Sequence, residues 1–174
     1  MSELGLLQVY TGDGKGKTSA ALGLSLRAIG HGLRVLFLQF LKNDPTYGEC
    51  LAQAHLPNFE LVPVGRNELV DFKNPAPLDL ELARAGWEKA ASAIRSGEYD
   101  LVVLDELTIA LAFGLLPTEP VLALLAEPHQ GTEVVVTGRY APDELIAMAD
   151  LVTEMKDVKH YFRKGIESRD GIDH

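Results

Sequence analysis

The stretch TGDGKGKTSA, residues 11–20, decides the fold. It stands between LLQVY at 6–10, which reads as a short buried strand, and KTSAALGLSLRAI at 17–29, whose good helix formers carry apolar residues near helical spacing. A glycine-rich turn joining a strand to a helix can curl its backbone N–H groups inward, next to the positive end of the helix. That arrangement cradles phosphate. The usual phosphate-loop pattern is Gly, four residues, then Gly-Lys-Ser/Thr. Gly16-Lys17-Thr18 fills its second half, and Thr11 stands where the first glycine is usual. The candidate cradle is therefore Gly12, Asp13, Gly14, Lys15, Gly16, Lys17, Thr18 and Ser19. Lys17 would meet the terminal phosphates, and Thr18 would offer its hydroxyl to Mg²⁺.

Working outward, LRVLFLQF at 33–40 reads as a second buried strand, and strand–loop–helix–strand opens an α/β domain with parallel strands. YDLVVLDE at 99–106 is the strongest central strand. It delivers Asp105 and Glu106 at its carboxyl end, as candidate Mg²⁺ ligands or, for Glu106, an organiser of water. EVVVTG at 133–138 is another buried strand. Arg139 follows it and should emerge on the same ligand-bearing edge, as a phosphate contact or an ordinary surface ion pair. ADLVTEM can supply one more strand. Asp79 is expected to cap a helix that Gly97 closes, and Glu49 to cap a short helix. The proline-containing stretch 63–78 should not be forced into regular structure. Phe72 within it can cover a planar ligand or pin the loop.

Composition narrows the function classes. The chain has 174 residues, a length that suits one domain, and 47% of them are hydrophobic, enough to fill a core. Its net charge of −9 disfavours generic binding to nucleic acid or an anionic membrane. The single Cys50 excludes an internal disulfide. The opening MSELGLLQVY lacks the flanks of a secretory leader, and no apolar run is long enough to span a bilayer. A cytoplasmic protein is expected. The last stretch, residues 155–174, is more basic than the rest at +1, which marks it as a tail expected near the site. No guanine-selecting NKxD stretch is present, so ATP is favoured.

Several stretches together resemble the ATP:corrinoid adenosyltransferase family, the CobA/CobO/BtuR line. They are TGDGKGKTSAALGLSLRAIGHG at 11–32, QF at 39–40, GE at 48–49, YDLVVLDELTIALAFGLL at 99–116, VVVTGRYAPDELIAMADLVTEM at 134–155 and KHYFRKGIESRDGI at 159–172. The loop with Thr in its first position is that family's own version. The resemblance covers almost the whole chain and is weakest over 41–78. It implies a phosphate-loop NTPase-type α/β domain over residues 1–174, RecA-like, with a central mainly parallel sheet flanked by helices. It also implies transfer of the 5′-deoxyadenosyl group of ATP to cobalt(I) of a reduced corrinoid, with triphosphate leaving, in cobalamin biosynthesis or salvage.

Because cobalt is the nucleophile, no side chain needs that part. The protein must grip triphosphate and place C5′ in line with the metal. By resemblance, Lys17, Thr18 and Glu106 act through phosphate and Mg²⁺, Asp105 supports them, and Arg139 contacts phosphate. The nucleotide lies reversed relative to ordinary phosphate-loop hydrolases. A homodimer is implied, with a reductase or flavoprotein as electron donor, and no membrane or nucleic-acid partner. Two features differ from the family. GRNELVDFK at 65–73 stands where an aromatic Gly-Phe-Thr-Trp-like segment is common, with Phe72 as the candidate corrinoid cover. Only a few residues precede the first strand, where some members carry a longer arm. The competing reading of the same loop is an ATPase or nucleotide-dependent switch acting on a protein partner, and a third is a binding module that keeps ATP without transfer.

Overall fold

The apolar runs of the sequence become six strands in one sheet. In the computed structural model, which describes residues 5–174, these are β1 (Leu7–Thr11), β2 (Val35–Phe40), β3 (Phe59–Val64), β4 (Leu101–Asp105), β5 (Glu133–Thr137) and β6 (Leu151–Glu154). The segment 1–4, to which the readings of a missing leader and a short arm belong in part, lies outside the described residues. The strand order is β3-β2-β4-β5-β1-β6, and every neighbouring pair is parallel. Parallel pairing needs a crossover between strands, so the helices must lie on the faces.

One helix, α1 (Lys17–Gly30), covers one face. Its Ala21 and Ala28 pack with Val35, Phe37, Leu101, Val103 and Val135. On the opposite face, α3 (Pro77–Ser96), α4 (Leu107–Ala112), α5 (Thr118–Leu125) and α6 (Asp143–Met148) pack over Val9, Leu36, Leu38, Val102, Leu104, Val134 and Val136. All six residues of β2 are buried, which explains why VLFLQF is continuous rather than alternating. The small side of α3 lets it lie close to the sheet: a Cβ on Gly86 would collide with Val64.

Two capping expectations are corrected. Asp79 is not the cap of α3. The helix starts at Pro77, whose fixed φ suits a first turn, and Asp79 is its third residue, whose carboxylate reaches back to accept the Ala76 N–H at 2.9 Å. Glu49 does not cap α2 (Gly48–Ala52), which continues into a 3₁₀ turn at Gln53–His55; its carboxylate instead accepts the buried Gln39 amide at 2.7 Å. Part of the stretch 63–78 is regular after all. Pro63 lies one residue before the end of the edge strand β3, where a missing donor is tolerated, and Pro77 opens α3. Among the described residues, no helix is long and apolar enough to cross a membrane.

Candidate functional site

All the strands point the same way, so their carboxyl ends share one edge, where ligands bind in open α/β sheets. The turn between β1 and α1 lies there. Gly12 and Gly16 hold positive φ values of 96° and 124°, a region that glycine enters without penalty. Gly12 and Gly14 also press against the backbone just past β6. A Cβ on Gly14 would sit 2.7 Å from Met155 O, which accepts the Gly14 N–H at the same distance. The loop is thus clamped between its own strand and the start of the tail.

Within it, Lys17 Nζ donates to the carbonyls of Gly12 and Gly14, each at 2.7 Å. The side chain is almost completely buried, and burial pulls its pKa below the ordinary lysine value. Its charge is held by the curl of the loop, at the entrance to α1, where no side chain caps the first-turn N–H groups.

Asp105, at the end of β4, is fully buried and accepts three hydrogen bonds. Thr18 Oγ1 and Thr137 Oγ1 donate to its Oδ1 at 2.8 and 2.6 Å, and Lys42 Nζ donates to Oδ2 at 2.9 Å. This one carboxylate therefore ties together α1, β5 and the exit of β2. Neighbouring Glu106 has φ of 60°, left-handed for a residue with a side chain and so strained by about 1 kcal/mol or more. Its N–H donates to Thr137 Oγ1 at 3.0 Å. Burial raises the Glu106 pKa, and the adjacent Asp105 charge raises it further, while Lys42, Lys17 and Arg139 oppose both. Three cations and a half-buried carboxylate thus share one neighbourhood.

A cavity of about 800 Å³ opens over these groups, lined by Gly14 to Ser19, Lys42, Glu106, Arg139 and the tail. Arg139 follows Gly138 and is held through its backbone, since Thr108 Oγ1 donates to its carbonyl at 2.6 Å. Its guanidinium lies 3.9 Å from Asp13, and both side chains are largely exposed, so that pair contributes little. The tail reaches the loop through Lys15 and Asp173, 2.8 Å apart. Hydrogen bonds from Lys15 and then Tyr161 hold the Asp173 carboxyl well below the usual carboxylate range. Arg169 adds a bond to the same carboxylate at 3.1 Å and lies over the Tyr161 ring.

Of the residues singled out in the sequence, Gly14, Lys15, Gly16, Lys17, Thr18, Ser19, Glu106 and Arg139 line one cavity. Asp105 lies beneath them, Gly12 supplies a carbonyl to Lys17, and Asp13 stands exposed at the rim. Phe72 lies apart from the cavity lining. It stacks on Phe113 with ring centres 4.2 Å apart, and Phe113 meets Tyr140 edge-on at 5.9 Å. Sequence reasoning placed Thr137 on the ligand-bearing edge with Gly138 and Arg139 but gave it no role, and it missed Lys42, Tyr161 and Asp173. Lys42 had a usable signal: it stands two residues past a fully buried strand, on the ligand-bearing edge.

The donor set fits Mg²⁺, a hard cation that takes oxygen ligands and keeps several waters. Thr18 donates its proton to Asp105, which leaves its oxygen free to act as a ligand. Among the described residues, no hydrogen bond reaches the Glu106 carboxylate, whereas both Asp105 oxygens are engaged. Thr18 and Glu106 are thus suited to direct ligation and Asp105 to a supporting position.

Comparison with known proteins gives a consistent result. The sequence profile of the family described as ATP:corrinoid adenosyltransferase BtuR/CobO/CobP matches residues 3–174. The corrinoid adenosyltransferase of Escherichia coli K12 is 39% identical over 174 residues, covering 99% of this chain and 87% of that protein. That of Pseudomonas aeruginosa is 39% identical over 171 residues, with 98% and 84% covered. Corrinoid adenosyltransferase CobA of Salmonella typhimurium is 37% identical over 174 residues, with 99% and 87% covered. Among solved structures, the flagellar accessory protein FlaH of Methanocaldococcus jannaschii superimposes with a TM-score of 0.57 at 11% identity, covering 86% of this chain and 70% of that one. That likeness bears on the fold alone, a RecA-like α/β sheet flanked by helices.

Proposed function

The chain belongs to the ATP:corrinoid adenosyltransferase family, and on that premise we propose that the phosphate-loop cavity is where it carries out the family's transfer. It is a transferase of cobalamin synthesis that moves the adenosyl group of ATP to a reduced corrinoid. The cobalt(I) lone pair forms the Co–C5′ bond while the C5′–O bond breaks, and that bond's electron pair leaves on the triphosphate. The protein's task is to hold the triphosphate and to neutralise the charge that accumulates on it.

One observation carries the assignment of roles. Asp105 joins Thr18, Thr137 and Lys42 in a single buried cluster directly beside Glu106 and the Lys17 loop. Lys17 leaves its carbonyl partners to meet phosphate oxygens, and the backbone of 12–16 wraps the same groups. Thr18 and Glu106 would hold Mg²⁺, with Asp105 fixing the Thr18 hydroxyl, and the ion would supply positive charge to the leaving triphosphate. Arg139, whose side chain is half exposed at the rim, closes on the phosphates. The corrinoid approaches across Phe72, Phe113 and Tyr140, the aromatic group next to Arg139. By family likeness the chain acts as one nucleotide-binding unit with its tail 155–174 at the site. It works as a homodimer in the cytoplasm, with electrons delivered by a reductase or flavoprotein.

A Mg²⁺ titration of adenosyl transfer tests the metal assignment. Glu106→Gln should raise the Mg²⁺ concentration for half-maximal activity by about tenfold or more, as loss of a charged ligand does. An unchanged Mg²⁺ dependence would remove Glu106 from the metal site.

A further inference from the structure

We propose that Lys42 is a catalytic residue that binds the triphosphate of ATP and stabilises it as the leaving group, alongside Lys17. This rests on the phosphate-loop reading above and adds a group that neither the loop motif nor the strand-end acids contain.

Lys42 is built into its place. Leu41 takes a left-handed φ of 67° at the exit of β2, and its N–H donates to Val64 O on β3 at 2.8 Å. The turn lies so close to β3 that a Cβ on Gly65 would stand 2.6 Å from the Lys42 nitrogen. Two adjacent parallel strands therefore aim this side chain at the carboxyl edge of the sheet. The ammonium then lands on Asp105 at 2.9 Å, with one quarter of the side chain exposed. It lines the same cavity as Lys17, Thr18, Glu106 and Arg139.

An ammonium has three donors. Asp105 takes one, and no second acceptor is recorded for Lys42 among the described residues. Thr18, the hydroxyl that follows the loop lysine, hydrogen-bonds the other oxygen of the same carboxylate. Lys42 and Thr18 are thus one carboxylate apart, so a phosphate group lying against Thr18 lies within reach of the Lys42 donors.

The four cations around the cavity differ in what holds them. Lys15 sits on a tail carboxylate, Lys17 on loop carbonyls, and Arg139 loosely near Asp13. Lys42 differs in that its anchor is the buried acid that also holds Thr18, so it keeps that anchor with donors to spare and stays fixed beside Thr18. Preorganised donors of that kind stabilise developing charge without reorganisation at the moment of reaction. A purely structural Lys42 would neutralise Asp105 and do nothing more.

The test measures binding of inorganic tripolyphosphate by calorimetry, without corrinoid, to the whole protein and to Lys42→Met, Lys42→Arg and Lys17→Ala. Lys42→Met should bind at least about tenfold more weakly, and Lys42→Arg should stay within about threefold of the unaltered chain. The adenosyl-transfer kcat of Lys42→Met should fall by more than its KM for ATP rises, as expected for a leaving-group contact. Should Lys42→Met not fold, the unaltered protein still decides. Saturating tripolyphosphate should protect Lys42 severalfold from acetylation by acetic anhydride, read by mass spectrometry. Full affinity in Lys42→Met, or unchanged Lys42 reactivity, overturns the proposal. Lys17→Ala separates the two failures. If it too binds tripolyphosphate normally, the phosphate-loop reading itself is wrong; if only Lys17→Ala loses binding, the Lys42 assignment alone falls.

Discussion

Replacing Thr137 by valine is the most informative single change to the cluster beneath the cavity. Thr137 is fully buried, and valine matches its shape, so the change removes hydrogen bonds with little change in volume. Two bonds are lost: the hydroxyl no longer donates to Asp105 at 2.6 Å, and Glu106 loses the acceptor for its N–H at 3.0 Å. A bond to a charged acceptor contributes about 1.5–3 kcal/mol, and an orphaned, partly buried N–H adds about 1 kcal/mol. The expected loss is therefore about 3 kcal/mol, or about 6–12 °C in Tm for a chain of this size. Serine is the contrasting change. It keeps both bonds and loses one methyl group, a loss of about 1 kcal/mol. Urea unfolding should thus rank Thr137→Val as the more damaging by about 2 kcal/mol. Adenosyl transfer should fall by about tenfold or more in the valine variant, because the strained Glu106 turn loses its support. The reverse ranking, with serine worse than valine, would show that packing rather than the hydroxyl holds this site, and would refute the reasoning.

Three further outcomes are expected. Gly14→Ala places a Cβ 2.7 Å from Met155 O, so the loop must part from the tail at about 2–4 kcal/mol of overpacking and lost hydrogen bonding; a melting curve within 2 °C (roughly 1 kcal/mol) of the unaltered chain would contradict the clamp. Asp79→Asn should destabilise by about 1–2 kcal/mol at neutral pH, through loss of the paired Arg66 bonds at 2.6 and 3.0 Å. The Arg66 bonds hold the Asp79 carboxyl below its usual range, so its stabilising effect is complete above about pH 4 and fades as pH falls further; the two unfolding curves should converge there, and a gap independent of pH would reject the ion pair as its source. Phe72→Ala should impair the use of corrinoid more than binding of ATP, measured as separate KM values, and equal effects would reject its role as cover.

How far the site was legible in the sequence depended on how local each contact is. Lys17 and Thr18 announce themselves because the loop that uses them is contiguous, and Asp105 and Glu106 because a buried run delivers them together. Lys42 and Thr137 reach the same carboxylate from 63 and 32 residues away, across neighbouring strands, so their places at strand ends mark the edge they share but no spacing rule shows that they meet at Asp105. Asp173 meets Lys15 from the opposite end of the chain for the same reason. The short α2 has too few turns for helical periodicity to register, and its Glu49 is drawn to Gln39, a polar residue whose burial shows only after β2 is placed between two other strands. The cap at Asp79 was misplaced within the first turn because Pro77 begins the helix earlier than the acid suggests. The central strands β2, β4 and β5 were legible because burial on both faces leaves unbroken apolar runs, whereas β3 at one edge is only partly buried and β6 at the other is exposed.

Product analysis in a single anaerobic reaction tests the central claim most directly. The protein is mixed with ATP, Mg²⁺ and chemically reduced cobinamide or cobalamin, and the corrinoid spectrum is followed together with the phosphate species. The account predicts one triphosphate released for each adenosyl–cobalt bond formed, no release without corrinoid, and joint loss of both products in Lys17→Ala. Steady orthophosphate release without corrinoid, with no adenosyl–cobalt bond formed when it is present, would contradict it.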